Sequence, residues 1–171
     1  PAHEFDRSKI YQWLTQSDVA PSMMGPPDYA EGKIPTWEEF CQDYNIHFFN
    51  PSGDGKGRNY IILVDGEEVG TIGYDCYDKD KNRVFLDIWM SSERHCGFGY
   101  GSDALRTLCI YLHSRFGITT FVISPSARNK RAIAAYTKAG FKHGLLAEDE
   151  QEREYGQGES QDNIIMIKTL K

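Results

Sequence analysis

Apolar positions in this chain alternate between two periods, and each change of period marks a new element. Residues 8–15 put Ile10, Trp13 and Leu14 on one helical stripe. Residues 17–35 carry Pro21, Pro26, Pro27 and Pro35 and predict an irregular segment around Met23 and Met24. Thr36 then caps a helix over 37–44, with Glu39 at the capping-box position. A glycine-rich loop over 51–57 precedes two apolar runs, 60–64 and 69–77. These flank Asp65-Gly66 and predict a hairpin. A turn over 79–82 leads into Arg83–Met90, a run rich in β-branched and aromatic residues that predicts a strand. Leu105, Leu108, Cys109 and Leu112 then give the i, i+3, i+4, i+7 spacing of a helix over 102–116. Residues 119–124 form a further strand, and Ile133 and Tyr136 share the stripe of a short helix stopped by Gly140. Leu145 and Leu146 suggest a short strand, 148–160 an acidic polar loop, and 163–170 the last strand. Three antiparallel strands followed by strand–helix alternation predict a mixed α/β sheet flanked by helices.

The junction between Arg83–Met90 and the helix after it carries the first chemical signal. Gly97, Gly99 and Gly101 alternate with Phe98, Tyr100 and Ser102. A glycine-rich turn from strand into helix leaves the first backbone N–H groups of the helix unpaired. Those donors and the positive end of the helix dipole favour a phosphate. Glycine lets the backbone approach an anion without a Cβ in the way. No Lys-Ser or Lys-Thr pair follows Gly101, so this is not a P-loop. The strand after the helix ends in Ser124-Pro125 rather than in an acidic residue, so the dinucleotide fingerprint fails too.

The segment Asn129-Lys130-Arg131-Ala132-Ile133-Ala134-Ala135-Tyr136-Thr137-Lys138-Ala139-Gly140-Phe141 decides between the remaining readings. With the glycine turn it resembles the GNAT superfamily of acyl-CoA N-acyltransferases. That family's pyrophosphate loop ends in Gly-x-Gly at a helix start, and its second signature reads Asn-x-x-Ala-x-x-x-Tyr-x-x-x-Gly-Phe. The resemblance spans residue 8 to the C-terminus. Within the superfamily the pattern is nearest the aminoglycoside 6'-N-acetyltransferases, through Tyr11-Gln12-Trp13-Leu14, Asp87 and the Pro125-Ser126-x-x-Asn129-x-Arg131-Ala132-Ile133 run. The resemblance implies a GNAT-type, mostly antiparallel sheet whose two central strands, Arg83–Met90 and 119–124, run parallel and splay apart at their C-terminal ends. It also implies a strand before the first helix, where this sequence has only a few polar residues. That strand is either shortened here or absent, which would leave a sheet edge exposed.

Composition adds bounds. At 171 residues and 40% hydrophobic, the chain suits one domain over 1–171 with a real core. It shows no membrane-spanning run and no signal-peptide pattern. Cys41, Cys76, Cys96 and Cys109 lack CxxC spacing, which fits free thiols of a cytoplasmic protein and no metal. A net charge of −6 speaks against a nucleic-acid surface and fits either a cationic substrate or plain solubility.

Acetyl transfer from a thioester to an amine requires that the phosphates be held, the carbonyl polarised, the amine deprotonated and the leaving thiolate protonated. Gly97, Phe98, Gly99, Tyr100, Gly101 and Ser102 are the candidates for the first task. By the resemblance, the backbone at Ile88, Trp89 and Met90 polarises the thioester of acetyl-CoA. Asn129 either hydrogen-bonds the pantetheine arm or holds the loop before the short helix. Tyr136 is the candidate acid, because a phenol of pKa about 10 is neutral at pH 7; its alternative is core packing. Asp87 interrupts an apolar strand, alternating with Phe85 and Trp89. The resemblance implies that it contacts the substrate amine as a base, and an ion pair with Arg83 or Lys79 is the alternative. Asp75 would complete an acidic, amine-attracting pocket.

Two positions depart from the family pattern. Cys96 stands where Gln or Arg is common, leaving Arg94 as a nearby cation for a phosphate. A thiol beside a helix N-terminus can have a lowered pKa, yet Cys96 has no evident partner, which favours an inert or oxidation-sensitive residue. Ser124 replaces a second aspartate. The expected function is acetyl-CoA-dependent N-acetylation of a small cationic amine such as an amino sugar, aminoglycoside or polyamine. The alternatives are a siderophore-precursor or hydroxylamine acylase and a non-catalytic acyl-CoA-binding domain. Acceptor specificity is expected in 23–34, 75–78 and 148–160. A homodimer packed through its last strands is a further expectation.

Overall fold

The computed structural model describes residues 1–24, 34–50, 56–78, 82–147 and 163–171. The helices are α1 Arg7–Gln16, α2 Ala20–Met24, α3 Trp37–Asp43, α4 Tyr100–Phe116 and α5 Lys130–Lys138. The strands are β1 Gly57–Val64, β2 Glu67–Asp78, β3 Arg83–Met90, β4 Thr120–Ile123, β5 Lys142–His143 and β6 Met166–Thr169. The strands form one sheet in the order β1-β2-β3-β4-β6-β5, and β3–β4 is the parallel pair among otherwise antiparallel neighbours.

Local chemistry accounts for the main boundaries. Thr36 accepts from the Glu39 amide while Glu39 caps the Thr36 amide, so α3 starts where its capping box stands. Asp65 and Gly66 take φ of 51° and 83°, the left-handed pair that closes a two-residue hairpin between β1 and β2. One sheet face packs Ile72, Val84, Leu86 and Ile88 against Leu105, Leu108 and Leu112 of α4 and Tyr136 of α5. The other face packs Trp89 against Ile10, Phe40, Phe48 and Phe49 of the N-terminal elements.

Several elements differ from the sequence expectations. Residues 20–24, inside the proline-containing segment, form α2, because Pro21 sits in its first turn, where a missing N–H costs nothing. A 3₁₀ turn over Ile46–Phe49 was not anticipated; it buries Phe48 and Phe49. Leu145 and Leu146 are not a strand. Leu146 buries against Val122 and Ile165 while Leu145 stays exposed, and the short strand is β5, two residues earlier, where β6 offers a partner. The last strand is Met166–Thr169, and Asn163 makes only an isolated bridge to Ser126. Among the described residues no strand precedes α1. The Ala2 amide instead donates to the Asn59 carbonyl at 2.8 Å, covering part of the β1 edge. Of the loops expected at 51–57, 79–82 and 148–160, residues 51–55, 79–81 and all of 148–160 lie outside the described residues, as does Lys79 as a partner for Asp87, and Gly57 already belongs to β1. No described helix is long and apolar enough to cross a membrane.

Candidate active site

The parallel ladder joins Arg83, Val84 and Phe85 to Thr120, Phe121 and Val122 and goes no further. β3 continues to Met90, whereas β4 ends at Ile123. The two central strands therefore part at their C-terminal ends, as the family resemblance implies. A cleft of about 310 Å³ opens beside this parting. Ile88, Trp89, Met90, Gly97, Gly99, Tyr100, Gly101, Ser102, Asn129 and Tyr136 all line it. Phe98 does not: its ring is 69% exposed and stacks on Tyr100 with centroids 5.7 Å apart.

The glycine turn presents its backbone to this cleft. Gly97 and Gly99 have φ of 86° and 91°, and Gly99 is the N-cap of α4. The first helical hydrogen bond runs from the Asp103 amide to the Gly99 carbonyl at 3.0 Å, so the four preceding N–H groups have no helical partner. The Ser102 hydroxyl donates to the Ala135 carbonyl at 2.8 Å, which fixes the start of α4 against α5. Asn129 Oδ1 accepts from the Ala132 amide at 3.0 Å, so this side chain is the N-cap of α5. Donors at one end and apolar walls along the rest suit an elongated ligand with phosphates at one end and an apolar arm.

Tyr136 is 9% exposed, and its hydroxyl pKa is raised by burial and by the negative charge of Asp87. Asp87 sits with Phe85 and Trp89 on the β3 face that looks toward the N-terminal helices. It lies opposite Gly73 of β2. It is solvent-accessible, yet surrounded closely enough by protein that desolvation raises its carboxyl pKa, against hydrogen bonds from Tyr44 and the Ile88 amide. Its partner is the Tyr44 hydroxyl, which donates to Oδ2. Asp75 pairs with Phe85, which puts it on the same sheet face as Asp87, one diagonal step away.

Other groups at the cleft were not singled out from sequence. Arg131 lines it and binds both carboxylate oxygens of Glu93; Lys138 lines it seven residues further along α5. Val19, Ser22 and Met23 form a wall, so part of the segment expected to select the acceptor borders this cleft. His95 is 7% exposed and sits just before the glycine turn, with Nδ1 2.9 Å from Ser91 Oγ. His95 Nε2 lies 3.0 Å from Arg94 Nε and 3.2 Å from Glu67 Oε1, so the ring ties the segment before the glycine turn to the start of β2. No spacing in the sequence signals this arrangement. Arg94 does not face the cleft as a phosphate cation; it pairs with Glu67 at 2.7 Å. Cys96 also lines the cleft, and burial raises its thiol pKa, contrary to activation by the helix N-terminus.

Comparison with known proteins agrees with this geometry. The acetyltransferase (GNAT) domain family matches residues 1–142. An aminoglycoside N(6')-acetyltransferase type 1 of Klebsiella pneumoniae is 26% identical over 147 residues, covering 81% of this chain and 70% of that protein. The solved structure of AAC(6')-Ib with paromomycin and acetyl-CoA superposes with a TM-score of 0.68 at 21% identity, covering 98% of this chain and 89% of that one. Spermidine N-acetyltransferase from Vibrio cholerae, in complex with CoA and spermine, gives 0.67 at 16% identity, covering 98% and 91%. The chain belongs to the GNAT family of acetyltransferases, enzymes that use acetyl-CoA as the acyl donor.

Proposed function

We propose that this N-acetyltransferase transfers the acetyl group to a primary amine of a small cationic acceptor, by direct attack of the amine on the thioester. The observation that carries the reading is the convergence of three features on one cleft: the parted β3 and β4 strands, the unpaired amides that start α4, and Tyr136 in its wall.

Acetyl-CoA supplies the activated acetyl thioester. The amides of Gly99, Tyr100, Gly101 and Ser102 hold its pyrophosphate, and the Ile88–Met90 stretch, which no second strand covers on its cleft side among the described residues, polarises the carbonyl. Asp87 attracts the acceptor ammonium and takes its proton. The amine nitrogen then bonds to the carbonyl carbon as the carbon–sulfur bond breaks, and Tyr136 gives a proton to the departing thiolate. One proton is released overall. The two residues reinforce each other. Burial raises the Tyr136 pKa and the charge on Asp87 adds to it, so discharge of Asp87 by the substrate proton removes the second contribution and makes that phenol a stronger acid as the thiolate leaves.

Similarity to an aminoglycoside N(6')-acetyltransferase supports an amino-sugar amine among the acceptors. Ser124 offers a polycation no carboxylate at the end of β4, so the reading is kept at the wider class of small cationic amines. A mass-shift screen of a primary-amine panel including spermidine, glucosamine and kanamycin tests it. Acetyl-CoA-dependent acetylation of at least one member is the expected outcome. Acetyl-CoA binding with no product from any amine would favour an acyl-CoA-binding role instead.

A further inference from the structure

We propose that Tyr44, the residue that closes α3, is a positioning residue that holds the Asp87 carboxylate in the orientation and charge state it needs to receive the acceptor ammonium. The proposal rests on the reading of Asp87 given above and adds a residue from a distant part of the chain to that site.

Tyr44 is fixed before it meets Asp87. Its amide donates to the Phe40 carbonyl at 2.7 Å, ending α3. Its ring stacks on Phe40 at 4.7 Å with an interplanar angle of 16°. The same ring meets Trp89 edge-on at 5.6 Å and 88°. Trp89 and Asp87 share one face of β3, so the aromatic contact that seats the ring also delivers its hydroxyl to the carboxylate.

An ionised carboxylate only accepts hydrogen bonds, so the phenol is the donor. Burial and the neighbouring charge of Asp87 push the Tyr44 pKa well above 10, so it remains a donor across the working pH range. The bond takes one of the carboxylate's several acceptor positions and leaves others for the ammonium. It also opposes the desolvation that favours the neutral carboxyl. Besides Tyr44, the Ile88 amide donates to this carboxylate, whose charge also reaches Tyr136 of α5; Asp75 and Arg83 share its sheet face, and the charge of Asp43 acts on Tyr44.

The test is Tyr44→Phe, which keeps the aromatic stack and deletes only the donor. Carboxyl-carbon NMR of the free protein, with the Asp87 signal assigned by its loss in Asp87→Asn, reads the contact without any acceptor. The Asp87 titration is expected to move to higher pH by about one unit. For the panel amine with the highest turnover among spermidine, glucosamine and kanamycin, the acid limb of kcat/KM is expected to move by the same amount. Acetyl-CoA affinity stays within about threefold. An unmoved Asp87 titration in folded Tyr44→Phe overturns the proposal. So does a moved titration with an unmoved acid limb, if Asp87→Asn still abolishes that limb; the Asp87 reading then survives alone. If Asp87→Asn changes neither the limb nor KM, both readings fall together.

Discussion

At the cleft proposed for the donor, the groups assigned to the phosphates and the carbonyl are backbone: the amides that open α4 and the stretch Ile88–Met90. On the opposite face of β3, Asp87 depends on side chains, with Tyr44 bound to it and Asp75 one diagonal step away. A backbone site needs glycines and a helix start, which are local and carry a motif. A side-chain site needs residues brought together from α3, β2 and β3, with no fixed spacing between them.

The largest effects should come from breaking the backbone site. Gly99→Val forces a branched residue to a φ of 91°, which costs about 1–2 kcal/mol, and it also fills the space above the amides. It should lower thermal stability and weaken acetyl-CoA binding by about 100-fold or more, since more than one charge-assisted hydrogen bond is lost. Gly101 is helical, and a Cβ there makes only ordinary contacts to Ile88 and Met90, at 3.7 and 3.9 Å. Gly101→Val should therefore stay folded and still lose the donor, which makes it the cleaner test. Unchanged affinity in that variant would make the turn structural only.

Next in size is Tyr136→Phe. Steady-state kinetics should show kcat reduced by roughly 10–10³-fold, with the acetyl-CoA dissociation constant unchanged. Asp87→Asn works on the other face. It should raise KM for a cationic amine about tenfold and remove the acid limb of kcat/KM. Because desolvation raises the Asp87 pKa, that limb should lie above the usual carboxylate range, with activity lost as pH falls through it. Unfolding of Asp87→Asn with normal kinetics in the residual folded fraction would make the carboxylate a structural partner.

The smallest effect divides two roles of one residue. Asn129→Ala deletes the α5 cap and should cost about 1 kcal/mol, a few degrees in a melting experiment. Asn129→Ser keeps a cap. Acetyl-CoA affinity lost in both variants would show that the amide also touches the donor; affinity retained in Asn129→Ser would leave it a cap alone.

What the sequence discloses follows the same division. β3 matches the predicted Arg83–Met90, and the hairpin turn falls at Asp65-Gly66, because their signals are periodicity and turn chemistry within a few residues. Asn129 and Tyr136 stood out because one short motif spans both, and the structure puts them on the cap and the body of α5, both lining the cleft. Tyr44 was not, since its partner lies 43 residues away and nothing local marks a phenol at a helix end as a carboxylate donor. His95 was missed for a related reason: its meaning comes from Glu67 and Ser91, on either side of β3 in sequence. β5 escaped because two residues become a strand only when β6 lies alongside. Most of the acceptor-selecting stretches expected from sequence lie outside the described residues, and Met23 borders the cleft beside the parted strands.

The most direct test of the central claim is a calorimetric titration with acetyl-CoA paired with thiol release across the amine panel, run on wild type, Gly101→Val and Tyr136→Phe. The account predicts binding and amine-dependent release in wild type. It predicts neither in Gly101→Val, and binding with greatly slowed release in Tyr136→Phe. Wild-type affinity in Gly101→Val together with wild-type release in Tyr136→Phe would contradict it.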